Sequence, residues 1–280
     1  MHGIHVALLA VWVGVSASNL IASPIAFDTA GDSAYNNFNP NSTTYPNGGY
    51  GWGGPWQSDG SLFVNQPGLT GPGHPADTTP INSPMTSAGR AWGISYSFNE
   101  QFSAVERPLA GALLPGQAFS VDLDMRTTSI PQYGEGDDQS VVLGSEEIAS
   151  GVSLNSYGGG VYGVGVQVFG AAPTYTVFAT EVPVSDQYIH LDVTVIDDSS
   201  VRVTLTSLGS DGAMDSLVVP DDVPITHLKL TNGGVGYLPD DELYFNNIQI
   251  TPEPVGVIFP AAALAATLLG RRRRVGNFMS

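Results

Sequence analysis

Apolar side chains recur at every second position along most of this chain, and that period allows little except β-strand. Phe119, Val121, Leu123 and Met125 alternate with Ser120, Asp122, Asp124 and Arg126. Leu191, Val193 and Val195 alternate with His190, Asp192 and Thr194; after Asp197-Asp198-Ser199-Ser200, Val201, Val203 and Leu205 alternate with Arg202, Thr204 and Thr206. Asp and Ser bond to their own backbone in turns, so these two runs predict a hairpin. Further strands are expected at Ser61–Asn65, Ala91–Phe98, Ser103–Ala110, Ser140–Leu143, Val152–Asn155, Gly160–Phe169, Tyr175–Thr180, Ile225–Thr231 and Leu243–Thr251. No sustained helical period interrupts them. About eleven strands with no helix to cover them must bury their apolar faces against each other. The expectation is an all-β fold, an antiparallel β-sandwich or jelly roll, in one domain over residues 27–251.

One stretch escapes the alternation. Asn36–Pro84 is rich in Pro, Gly and Asn, with Tyr45-Pro46-Asn47-Gly48-Gly49 and Thr70-Gly71-Pro72-Gly73, and reads as a long surface excursion broken by the short strand at Ser61–Asn65. The chain has no cysteine, so neither disulfides nor thiol chemistry are available, and a body of this size needs no staples. Between the two ends the basic residues are Arg90, Arg107, Arg126, Arg202 and Lys229 against twenty-five acids, a net charge of −20. Such a surface repels nucleic acid and anionic membrane, and leaves cations and neutral glycans as partners.

The two ends differ from the body. Residues 1–26 form a signal-peptide region: Val6–Val15 is an apolar run of the right length for a signal helix, and Val15-Ser16-Ala17 supplies the small residues a signal peptidase reads. Cleavage is expected after Ala17 or Ser18, not after Ser23, because Pro24 follows. The charged start is weak, with His2 and His5 but no Lys or Arg. A permanent N-terminal membrane helix is the alternative, for which the run is short.

Residues 252–280 read as Pro252-Glu253-Pro254, then an apolar helix over Val255–Gly270, then Arg271, Arg272, Arg273 and Arg274. The two prolines keep the motif extended and reachable. Sixteen helical residues span roughly 24 Å against a hydrocarbon core of ~30 Å; snorkelling arginines recover the difference and hold the C-terminus inside. Pro260 weakens the helix, which suits a transient anchor. An unsorted tail anchor would show a similar hydropathy profile.

In order and position this tail resembles the PEP-CTERM sorting signal of biofilm-forming, outer-membrane-bearing bacteria. The resemblance implies processing by an exosortase-like enzyme, a transient stay in the inner membrane, and delivery to the cell surface or exopolysaccharide matrix. The body is similar to a group of such exported proteins in Phe27-Asp28, Ala34-Tyr35, Gly49-Tyr50-Gly51-Trp52-Gly53-Gly54-Pro55-Trp56, Ala91-Trp92-Gly93, Gly116–Asp122 and Tyr244–Ile248. That likeness implies a concanavalin-like jelly roll and brings no activity with it.

Residues able to carry chemistry are sparse. Glu135-Gly136-Asp137-Asp138 and Glu146-Glu147 are the densest acids, but glycoside hydrolysis needs two carboxylates facing one bond, and no strand carries Glu-x-Asp-x-x-Glu. Asp122 and Asp124 share a face without a following Glu. Solvated turn acids are the plainer reading, and no catalytic residue is assigned. Calcium takes oxygen ligands from loops, and Asp28, Asp32, Asp240 and Asp241 lie at the two ends of the domain, which antiparallel closure would bring together; they are weak candidates for a structural Ca²⁺. His74, His190 and His227 lack metal or triad spacing, and no Gly-x-Ser-x-Gly elbow is present. Tyr50, Trp52 and Trp56 sit among glycines, where exposed rings would stack on sugars; the competing fate, which tryptophan's bulk favours, is a plug at the sandwich end. These readings add up to an exported, non-enzymatic surface or matrix protein of structural or adhesive type with weak exopolysaccharide contact. The alternatives are a carbohydrate-active enzyme of lectin-like fold and an unsorted tail-anchored protein.

Overall fold

The computed structural model describes residues 23–36, 47–58, 62–65, 90–94, 102–125, 139–145, 151–157, 161–168, 174–183, 188–208, 212–233 and 243–252. The expected signal run, Glu253 and Pro254, the expected tail helix, Arg271–Arg274, Asp240, Asp241, His74 and the Glu135–Asp138 and Glu146–Glu147 groups lie outside these residues. Among the described residues no helix is long and apolar enough to cross a membrane.

The strands are β1 (Ala26–Asp28), β2 (Gln57–Ser58), β3 (Leu62–Asn65), β4 (Ala91–Ile94), β5 (Phe102–Pro108), β6 (Ala118–Met125), β7 (Gln139–Gly144), β8 (Gly151–Tyr157), β9 (Val161–Val168), β10 (Thr174–Pro183), β11 (Tyr188–Asp197), β12 (Ser200–Ser207), β13 (Met214–Pro220), β14 (His227–Gly233) and β15 (Leu243–Thr251). They form two antiparallel sheets. The first runs β13-β12-β11-β6-β15-β4-β3, with β1 also on β15; the second runs β10-β9-β8-β7-β14-β5-β2. The alternating residues explain why they pack. Phe119, Val121, Leu123, Leu191, Val193, Val203 and Leu205 from the first sheet and Val105, Val141, Leu143, Val164, Leu228 and Leu230 from the second are buried in one continuous apolar cluster. Each such side chain contributes about 1.5–3 kcal/mol on leaving water. This is a β-sandwich.

The hairpin expected at Asp197–Ser200 is present. The Asp197 carboxylate accepts from the Ser199 backbone N–H and from both the Ser199 and Ser200 hydroxyls, each at 2.9 Å. The long-range pairings are the part that alternation leaves open: β6 is inserted between β11 and β15, and β14 between β7 and β5. Three strands fall outside the expected set. β1 and β2 are too short to show a period, and β13 turns Met214, Ser216 and Val218 outward on a sheet edge, so its sequence lacks a clean apolar face. The Asp215 carboxylate accepts the Glu181 backbone N–H at 2.9 Å and blunts that edge.

The expected surface excursion is corrected over residues 47–58. There the chain laces the sheets together rather than looping away. Tyr50 exchanges both backbone hydrogen bonds with Phe27 of β1, and the Gly53 N–H donates to the Pro108 carbonyl of β5.

Candidate functional site

The lacing segment closes over a buried ion pair. Asp28, on β1 of the first sheet, and Arg107, on β5 of the second, both point inward, and both side chains are fully buried. Arg107 Nη1 donates to Asp28 Oδ2. The rest of the guanidinium fork is also used: Nε donates to the Gly54 carbonyl at 3.2 Å, and Nη2 to the Gly48 carbonyl at 2.8 Å and to Asn47 Oδ1 at 2.9 Å. Asp28 accepts further from the Tyr35 hydroxyl, from Trp56 Nε1 at 3.0 Å and from the Thr29 N–H at 2.8 Å. Burial raises the Asp28 carboxyl above its usual range; Arg107 and these donors oppose the rise. Burial next to Asp28 pushes the Tyr35 hydroxyl up as well, so it stays protonated and donates. The Arg107 guanidinium lies 4.8 Å from the Trp52 ring centre and 5.3 Å from that of Trp56, a cation–π sandwich in a desolvated setting.

Glycines make this closure sterically feasible. Gly49 and Gly51 have φ of +70° and +80°, and a Cβ on either would lie 2.2 Å and 2.1 Å from the Phe27 and Ile25 carbonyl oxygens. The Gly-Tyr-Gly-Trp-Gly-Gly-Pro-Trp run is therefore an instruction for close backbone approach.

This arrangement changes the expected glycan contacts. Trp56 is 1% exposed, packs against Trp92 and Phe245, and spends its N–H on Asp28, so its ring offers no face to a sugar. Trp52 is half-buried under Arg107. Tyr50 alone of the three stands out, 52% exposed. The calcium expectation fares differently at each position. Asp28 is committed to Arg107, and Asp32 caps a 3-10 turn over Ser33–Tyr35 by accepting the Ala34 and Gly49 N–H groups, which hold its carboxyl below its usual range. First and last strands do pair, with Asp28 level with Ile248. Asp240 and Asp241, the other two candidates, lie outside the described residues. Among the described residues no group of three or more His, Asp or Glu side chains is placed to hold a metal.

A polar constellation lies on the outward face of the first sheet. The register puts Asp122 opposite His190, and Ser120 opposite Asp192. His190 Nδ1 and Asp122 Oδ1 are 2.6 Å apart, and Asn247 Nδ2 donates to Asp122 Oδ2 at 2.7 Å. Asn247 sits at φ +50° in a bulge of β15, which re-aims its side chain at Asp122. The hydrogen bond to Asp122 raises the His190 pKa against the effect of burial, with smaller help from the Asp122 and Asp192 charges. The sequence shows both residues on outward positions of their strands; only the β6–β11 register makes them neighbours. Pro252, the first residue of the Pro-Glu-Pro run, follows directly on β15.

No protein-family model matches the chain, and no curated protein is similar to it in sequence. Similar solved structures include the binding domain of botulinum neurotoxin serotype G, at 9% identity and TM-score 0.46 over 90% of this chain and 52% of that one. The receptor binding domain of botulinum neurotoxin D matches at 9% identity and TM-score 0.42, over 74% and 48%. A carbohydrate esterase from the Shiga toxin-encoding bacteriophage phi24B matches at 10% identity and TM-score 0.45, over 83% and 99%. The chain thus spans about half the length of the neurotoxin domains.

Proposed function

We propose that this chain is an exported surface or matrix protein, a jelly-roll sandwich of structural or adhesive role carried to its destination by the Pro252-Glu253-Pro254 tail. One observation supports the reading most. β15 stays paired up to its last residues, Ile250 with Ala26 and Thr251 with Ala118, and the motif begins at the next residue. A cut in or after the motif would remove no strand among the described residues. The −20 body favours a neutral polysaccharide matrix over nucleic acid or anionic lipid. Replacing Pro252 and Pro254 with Ala tests the sorting: the variant should accumulate unprocessed in the inner membrane, whereas normal processing would remove the exosortase reading.

A second reading, a carbohydrate-active enzyme, has the Asp122–His190 pair in its favour. Release of acid or reducing ends from matrix polysaccharide by the wild type, abolished in His190→Ala, would replace the adhesive role by a catalytic one.

A further inference from the structure

We infer that the outward face of the first sheet binds a neutral, hydroxyl-rich glycan chain, with Tyr50 and Phe27 as its stacking platform. The inference rests on the matrix-protein reading above and gives that reading a site. Tyr50 is more than half exposed, and its ring centre lies 6.4 Å from that of Phe27 at 40°. Gly49 and Gly51 fix the backbone on either side, and the Tyr50 hydroxyl donates to the Pro24 carbonyl at 3.3 Å. The ring is thus presented by a rigid ribbon, which limits the ordering cost of stacking on the C–H face of a sugar.

A polar track continues from the platform. Phe27 is level with Gln249 on β15, Gln249 with Ser120 on β6, and Ser120 with Asp192 on β11; Ser120 is buried at 4% exposure, so the half-buried Gln249 and Asp192 are the groups this level offers to a ligand. At ~4.8 Å per strand this track extends roughly 14 Å from the rings. The neighbouring level adds His190, one-third exposed, with its ring orientation set by Asp122 and, through it, Asn247. Amide, carboxylate and imidazole groups can between them donate to and accept from sugar hydroxyls, and Asp192 and His190 are each held by a neighbour, Thr194 and Asp122. No Lys or Arg lies on the level running from Phe27 to Asp192. With a body charge of −20, the face therefore selects uncharged over anionic chains.

The test is titration of the full chain with neutral gluco-, manno- and galacto-hexasaccharides and with hexagalacturonate, alongside retention by purified matrix polysaccharide. The wild type should bind a neutral hexasaccharide and not hexagalacturonate. Tyr50→Ala should weaken binding about fivefold with unchanged melting temperature. Gln249→Ala and Asp192→Asn, which leave the lacing segment intact, should weaken it too. Unchanged binding in all three variants, or matrix retention without any neutral hexasaccharide binding, overturns this site and leaves the adhesive reading standing. Failure of the wild type to bind hexasaccharide or matrix overturns both.

Discussion

Asp28 and Arg107 meet inside the sandwich with no exposure to solvent, one from the first strand of one sheet and one from the opposite sheet. Between them they engage Asn47, Gly48, Gly54 and Trp56, so the lacing segment folds around a charge pair. Desolvating two charges is costly, and the pair is held by the donors around Asp28 and the acceptors around Arg107.

Arg107→Ala should therefore cost about 3–5 kcal/mol in chemical denaturation, because it leaves a buried carboxylate unpaired. Arg107→Lys should recover little, since an ammonium cannot bond Gly48, Gly54, Asn47 and Asp28 together. A double variant, Asp28→Asn with Arg107→Met, should be less destabilised than the two single effects summed. Additive losses would show that the pair is not coupled.

Substitutions at the glycines should separate close approach from mere looping. Gly49→Ala and Gly51→Ala each require a positive φ and a carbonyl contact near 2 Å, and should cost about 2 kcal/mol or more. Gly111→Ala, with nothing within 4 Å of the added methyl, should lie within about 0.5 kcal/mol of the wild type. Thermal melts of the three variants decide it.

Asp221 gives a pH dependence. Burial pushes its carboxyl up to about 6, with Asp222 adding to the rise and the Val223 N–H opposing it. Its proton is held more tightly folded than unfolded, so its contribution to stability is present at low pH and is lost as pH rises from about 4 through about 6. Asp221→Asn should raise the melting temperature at pH 7 and leave it little changed at pH 4. Equal effects at both pH values would contradict this environment.

His190 should titrate above the usual histidine range in an NMR experiment, and Asp122→Asn should bring it down by replacing the carboxylate with a neutral, weaker acceptor. Insensitivity to Asp122→Asn would mean that the two rows of the sheet face are not joined as described.

Strands with a buried face were legible in the sequence, and β15 matches its expected bounds, Leu243–Thr251. The pairing of β6 with both β11 and β15 was not, because alternation says which face is apolar and nothing about which strand lies alongside. The aromatic, glycine-rich run was conspicuous, but its role turned on a partner about fifty residues later, Arg107, which in the sequence is one basic residue among five and gains its meaning only from the Asp28 carboxylate opposite it. His190 was passed over for the same reason: its meaning comes from Asp122 across a strand boundary.

Export and sorting of this protein turn on its tail. Intact-mass measurement of the protein from the surface and medium of the producing cells tests it most directly. The predicted species lacks roughly the first 17–26 residues and everything beyond the Pro252-Glu253-Pro254 region, with any added mass at the new C-terminus identifying the anchor. A mass that retains Arg271–Arg274 would contradict sorting and leave a sandwich tethered to the membrane by its own tail.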